Sequence, residues 1–149
     1  MRTSDRIAAL SIVIVAAGAS LLPRPSAAEG ALAVGLPRDV AAEGFAFGYA
    51  LNMGSVEAAR AEAMRVCKNP SPGVDKRAQA LCAVVHAFRD QCFAVAMDPE
   101  DATPGVGWAV AASKTTATQD ALVKCRDTAG EDRRDACVIS RAECDGQAR

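Results

Sequence analysis

The segment from residue 44 to residue 51 alternates bulky and small side chains. A period of two is typical of a β-strand whose two faces meet different surroundings. The bulky positions are Phe45, Phe47, Tyr49 and Leu51, and the small positions between them are Ala46, Gly48 and Ala50. The pattern therefore predicts a strand with one bulky face and one flat face.

The next segment, residues 55–67, repeats small or apolar residues with helical spacing at Val56, Ala59, Ala63 and Cys67. Ser55 stands where a helix N-cap belongs, and Glu57 places a negative charge in the first turn. Alanines on one stripe allow a helix to approach its neighbour closely. We therefore expect this helix to pack on the flat face of a sheet.

The chain contains an internal duplication. The series Ser55, Ala59, Ala63 and Cys67 recurs with identical spacing as Ser113, Ala117, Ala121 and Cys125. Upstream, Leu32-Ala33-Val34 resembles Phe93-Ala94-Val95, and downstream Cys82-Ala83-Val84-Val85 resembles Cys137-Val138-Ile139. Self-similarity of this kind indicates two copies of one structural unit, at about residues 30–91 and 92–149.

Each copy is predicted to run strand, loop, strand, helix, loop, strand. The strands of the first copy are predicted at residues 31–36, 44–51 and 82–88, with a proline-rich loop at 69–76. In the second copy we predict strands at 92–97, 107–112 and 137–141, a helix at about 115–125, and loops at 99–105 and 127–135. The predicted fold class is α+β, with two tandem strand-strand-helix-strand repeats, antiparallel sheet and disulfide staples.

Residues 1–28 have the pattern of a secretory signal peptide. Arg2 and Arg6 precede an uncharged, mostly apolar run at residues 7–22, and small residues follow at 26–28. We expect cleavage after Ala28, which leaves residues 29–149 as a single domain with no transmembrane segment. An uncleaved anchor is the alternative, but the run is shorter than the ~20 residues that a membrane-spanning helix needs.

Composition supports an exported globular domain. Lys and Arg number 17 against 18 Asp and Glu, a net charge of −1, which gives no electrostatic basis for binding nucleic acid. Aromatic residues make up only 4% of the chain, so its core must be built largely from small side chains. We expect a periplasmic or secreted monomer or weak oligomer that needs no cofactor.

The six cysteines are expected to form disulfides, since an exported chain meets an oxidising compartment. A zinc site is the alternative, but the chain has no Cys-x-x-Cys pair. If both copies are bridged alike, Cys67–Cys82 and Cys125–Cys137 leave Cys92–Cys144 to join the copies. The main alternative is Cys67–Cys92 with Cys125–Cys144.

No motif in the chain predicts a catalytic, cofactor-binding or metal site. His86 is the only histidine, and we expect it to be a strand residue satisfied by a hydrogen bond. Residues 131–135 carry charges of both signs and are expected to be a solvated turn. The acidic side chains of Asp98, Glu100 and Asp101 are also expected to be solvated, with weak calcium binding as the alternative.

The scarce aromatic residues allow two interpretations. Core packing is the first, and a partly exposed strip that binds a partner protein is the second. The candidate partner-binding residues are Phe45, Phe47, Tyr49 and Trp108.

The doubled Ser-x3-Ala-x3-Ala-x3-Cys helix, with its Cys-Ala-Val-Val and Cys-Val-Ile strands, resembles the bacterial domain-of-unknown-function family 4189. The resemblance covers about residues 31–145. It implies a small exported protein without an established enzymatic activity, and it supplies no catalytic residues.

Taken with the residues, this resemblance favours a non-enzymatic binding or inhibitor module that acts on another exported protein or an envelope component. One alternative is an enzyme of unrecognised type that uses His86 with nearby carboxylates. Another is a structural protein of the cell envelope.

Overall fold

A computed structural model describes residues 28–69 and 76–149. Most of the predicted signal peptide and most of the proline-rich loop lie outside the described residues. The described chain forms two three-stranded antiparallel sheets with helices, and the two halves repeat the same order of elements. The predicted α+β class and its two repeats are therefore confirmed.

The first half contains β1 (Glu29–Gly35), β2 (Ala46–Met53) and β3 (Ala83–Phe88), ordered β2-β1-β3 in its sheet. Its helices are α1 (Val40–Glu43), α2 (Val56–Lys68) and α3 (Lys76–Ala80). The short helices α1 and α3 were not predicted, because too few residues are involved to show a helical period.

The second half contains β4 (Cys92–Met97), β5 (Val106–Ala111) and β6 (Val138–Cys144), ordered β5-β4-β6. Helix α4 (Lys114–Thr128) extends beyond its predicted end, and a short 3-10 helix (Glu131–Ala136) follows it. In both halves the first strand is central and pairs with the other two.

The two sheets pack against each other through their bulky faces. The buried residues between them are Leu32, Val34, Phe45, Phe88, Phe93, Val95 and Val106. Tyr49 and Phe93 meet across the layers, with ring centroids 4.7 Å apart. The predicted bulky face of residues 45–51 therefore points towards the opposite sheet.

The flat faces of the sheets receive the long helices. Helix α2 buries Ala59, Ala63 and Cys67 against the alanines of β1 and β2. Helix α4 buries Ala117, Ala121 and Cys125 in the same way. The molecule is thus a four-layer arrangement of helix, sheet, sheet and helix.

Strand register gives the true correspondence between the halves. Gly48 lies opposite Ala33 and Gly107 lies opposite Ala96, and each glycine abuts the backbone of its own helix. Tyr49 therefore corresponds to Trp108, because each follows its glycine. The alignment of the two copies can be checked in the same way.

Leu32 lies opposite Tyr49, and Val95 lies opposite Trp108, so Leu32 corresponds to Val95. The match of Leu32 with Phe93 from the sequence is therefore wrong by two residues. Because side chains alternate along a strand, an error of two residues still assigns each side chain to the correct face of the sheet.

Two of the disulfides occupy equivalent places in the two halves. Cys67–Cys82 and Cys125–Cys137 each join the end of a long helix to the residue before the next strand, with Cα–Cα distances of 6.0 Å. The third bridge, Cys92–Cys144, joins directly opposite residues of β4 and β6. The expectation that this bridge joins the copies is wrong, because Cys92 begins the second half and the bridge closes within one sheet.

In the first half, an ion pair stands where the second half has this third disulfide. The pair Gly30 and Phe88 in the first sheet is equivalent to the pair Phe93 and Glu143 in the second. One position further out along the strands, Glu29 and Arg89 therefore stand where the second half has Cys92 and Cys144. The Arg89 guanidinium donates to the Glu29 carboxylate. At equivalent places, the first sheet is therefore held by an ion pair and the second sheet by a disulfide.

A buried carboxylate interlocks the halves at one end of the sandwich. Asp145 is fully buried and accepts a hydrogen bond from the Asn52 N–H at 2.6 Å and from the Asp90 N–H at 3.3 Å. The Gly146 N–H donates in return to the Asn52 side chain at 3.0 Å, and the Gln147 N–H donates to Asp90 at 2.9 Å. The C-terminal residues are thus tied to the end of β2 and to the connection that follows β3.

We predict that Gly48→Ala lowers the free energy of unfolding by about 1–3 kcal/mol, the usual cost of overpacking a close-packed core. A Cβ on Gly48 would overlap the backbone nitrogen of Cys67 and the backbone oxygen of Ala63. Chemical denaturation would measure the change. Gly54→Ala is the matched control, because its added Cβ meets nothing within 4 Å, and it should change stability by less than about 0.5 kcal/mol. Equal effects of the two substitutions would contradict the close helix–sheet contact.

Candidate functional site

An open groove of about 710 Å³ lies where the two halves meet. One wall is the connection from β1 to α1, residues 36–40. The other wall is formed by β5 and the facing side of α4, including Trp108 and Lys124. A volume of this size lies within the range typical of ligand-binding clefts.

Local sequence explains the first wall. Pro37 lies two residues after the end of β1, and the Asp39 carboxylate caps α1 by accepting from the Ala42 N–H at 3.0 Å. This tight connection leaves Leu36 outside the core, with 46% of its surface exposed. An exposed leucine is therefore held on a short, well-fixed turn.

The second wall is an edge strand whose outer backbone groups are partly covered by α4. The Thr128 hydroxyl accepts from the Val106 N–H and donates to the Val106 carbonyl, both at 2.8 Å. Lys124 Nζ donates to the Trp108 carbonyl at 2.9 Å. Side chains of α4 thus occupy part of an edge that would otherwise be free to pair with another strand.

Trp108 forms the aromatic part of this wall. Its ring stacks on Phe45 with a centroid distance of 6.0 Å, and Trp108 remains partly exposed. One side of the ring system is therefore fixed by the core while part of it is accessible from the groove.

The corresponding aromatic residue of the first half, Tyr49, is contacted by an ion pair of the second half. The Tyr49 hydroxyl donates to Glu143 at 3.1 Å, and the Arg141 guanidinium lies 5.4 Å from the centroid of the Tyr49 ring. Arg141 also pairs with Glu143. Two equivalent aromatic positions thus differ, since one contacts an ion pair and the other borders an open groove.

The four aromatic residues singled out from the sequence do not lie together as one exposed strip. Phe45 is buried, with 7% of its surface exposed, and it belongs to the core between the sheets. Phe47, Tyr49 and Trp108 pack against that core and are partly exposed. Of the four, only Trp108 lines the groove at Leu36.

His86 lies in β3, an edge strand, and its side chain is exposed. The expected hydrogen bond is not formed with any residue that the structure describes. Partial burial lowers the pKa of His86, and the positive charge of Lys124 lowers it further. Arg60 lines the same shallow depression, so the charged residues near this imidazole are cations rather than carboxylates.

The two charged loops bind each other instead of being solvated separately. Arg133 donates to both oxygens of the fully buried Asp98 carboxylate, at 2.8 and 2.7 Å. It also pairs with Glu100 at 2.6 Å. The hydrogen bonds from Arg133 hold the pKa of Asp98 below its ordinary value. Sequence reasoning missed this pair because the two loops are distant along the chain.

Two findings on metals and membranes apply to residues 28–69 and 76–149. Within these ranges, no group of three or more His, Cys, Asp or Glu side chains is placed to hold a metal ion. None of the helices formed by these residues is long and apolar enough to cross a bilayer.

Comparison with known proteins places the chain in a family. Residues 30–144 match the family described as domain of unknown function, DUF4189. No curated protein and no solved structure matches significantly.

We predict that the Asp98–Arg133 pair stabilises the fold in a pH-dependent way. Because the folded state lowers the pKa of Asp98 from about 3.8, its contribution is present above that value. The contribution is lost as the pH falls through the lower folded pKa. Asp98→Asn should therefore lower the melting temperature clearly at pH about 7 and by less at pH about 2, where part of the contribution of the charge is lost.

Thermal unfolding followed by circular dichroism at both pH values checks this expectation. Asp101→Asn is the control, since Asp101 is exposed and makes no ion pair with another described residue. A melting-temperature difference for Asp98→Asn that stays constant with pH would contradict the role of its charge.

We also predict that His86 titrates below the ordinary value of about 6.5 and that Lys124→Gln raises its pKa. Removing the ammonium group removes one of the two causes of the shift, while burial remains. Proton NMR titration can follow this ring without assignment, because the chain has one histidine. An unchanged pKa in Lys124→Gln would show that the ammonium group does not act on His86.

Proposed function

Because the chain belongs to the DUF4189 family, whose description names no activity, we propose its function from the structure. We propose that it is an exported binding module that holds a segment of another exported or envelope protein in the groove between Leu36 and Trp108. In this proposal, Trp108 alone among the four candidate aromatic residues contacts the partner.

The groove carries the proposal. Leu36 is 46% exposed, and Trp108 is partly exposed on a strand fixed by the core. A rigid aromatic ring beside an exposed aliphatic side chain is typical of the anchor points of protein interfaces. The contrast with Tyr49 supports the proposal, because Glu143 and Arg141 contact Tyr49 at the equivalent position.

Export is supported by the cysteines and by the start of the fold. All six cysteines are paired in disulfides, which persist mainly in oxidising compartments. Strand β1 begins at Glu29, directly after the predicted cleavage site. Cleavage there would leave every described strand and helix intact.

We predict that Leu36→Asp abolishes capture of the partner while the protein stays folded. A charge in the centre of an apolar contact should weaken binding by roughly tenfold or more. The measurement is quantitative affinity capture from culture, with the oxidised protein as bait. Leu81→Asp is the matched control, because Leu81 is 49% exposed and lies outside the groove.

The proposal requires that a protein captured by the wild type and by Leu81→Asp is lost with Leu36→Asp at an unchanged melting temperature. If all three baits retain the same proteins equally, the groove is not the binding surface.

A further inference from the structure

On the wall formed by β5 and α4, the hydrogen-bonding groups that remain unused are donors. The Val106 N–H and carbonyl are both bonded to Thr128, and the Trp108 carbonyl is bonded to Lys124. Because backbone groups of an antiparallel strand alternate in direction, the N–H of Trp108 faces the same side as those of Val106. Lys124 keeps two further N–H groups beyond the one it donates. A molecule in the groove therefore meets donors that need acceptors.

The charged side chains that line the groove also favour an acidic ligand. Arg38 and Lys124 line the groove on opposite walls, and neither forms an ion pair with another residue in the described ranges. Asp39 is the acid among the lining residues, and its carboxylate is engaged in capping α1. The groove is thus locally positive on a chain whose net charge is −1.

Resting on the proposed function, we infer that the groove binds an acidic peptide segment. An apolar side chain of the segment packs against Leu36 and Trp108, and a neighbouring Asp or Glu carboxylate pairs with Lys124 and Arg38. A carboxylate satisfies the unused donors and the unbalanced charge at the same time. A lysine-rich segment would be repelled by both cations.

We expect the peptide to bind through its side chains and not by adding a strand to the edge of the sheet at β5. Thr128 already uses both outer backbone groups of Val106, so continuous strand addition along β5 would have to break three hydrogen bonds made by α4. Recognition through one apolar and one acidic side chain leaves those bonds in place. The groove therefore selects its partner by side chains.

A random linear peptide library displayed on phage provides the test, with the oxidised protein as bait and Leu36→Asp as the counter-selection bait. Enriched peptides should combine an aliphatic or aromatic residue with a nearby Asp or Glu. Binding of the best peptide should weaken about two- to fivefold in each of Arg38→Gln and Lys124→Gln, as expected for exposed ion pairs. Binding should also weaken as salt is raised.

Controls separate charge from damage to the fold. Lys124→Arg should keep the affinity, and Arg60→Gln, which removes an exposed cation outside the groove, should not change it. Enriched peptides without acidic residues, or affinity unchanged by removing both cations, would overturn the inference. That outcome differs from failure of the proposed function, in which Leu36→Asp enriches and captures the same molecules as the wild type.

Discussion

The distance between each long helix and its sheet governs this fold. Gly48 and Gly107 touch the helix backbone directly, so that even a methyl group at either position would overlap it. This contact requires alanine, glycine and cysteine on one face of both sheets and on one stripe of both helices. Bulky residues are then confined to the opposite faces, which meet in the middle of the molecule. A chain with 4% aromatic residues can build a core in this way because all six of them lie in or pack against one layer.

Periodic segments could be predicted from the sequence, and contacts between distant loops could not. The alternation from Phe45 to Leu51 and the four-residue spacing after Ser55 reflect local geometry, so the strand and the helix follow from them. The pairing of Arg133 with Asp98 and the burial of Asp145 depend on which loops meet, and nothing in either loop records its partner. The groove was missed for the same reason. Trp108 is conspicuous in the sequence as a rare aromatic residue, but Leu36 becomes its neighbour across the groove only when the halves join.

Duplication has left the two halves alike in their framework and different at their edges. The helix-to-strand disulfides are equivalent, whereas a third disulfide in one half stands in place of the Glu29–Arg89 ion pair in the other. The aromatic positions diverge in a similar manner, since Arg141 and Glu143 cover Tyr49 while Trp108 borders open space. Features shared by both halves serve the fold. Positions that differ between the halves are not fixed by the shared framework. A binding surface is therefore expected at such positions.

The interlock at Asp145 bears on the order in which the chain can fold. Asn52 adopts a left-handed backbone conformation, with φ of 55°, and its N–H is satisfied by a carboxylate 93 residues further along. Contacts between residues so far apart in sequence are slow to form, because the closure of a long loop costs entropy. A chain synthesised or exported from its N-terminus exposes the first half long before Asp145 emerges. The Asn52 N–H, near the end of β2, therefore lacks this hydrogen-bond acceptor until Asp145 has been synthesised.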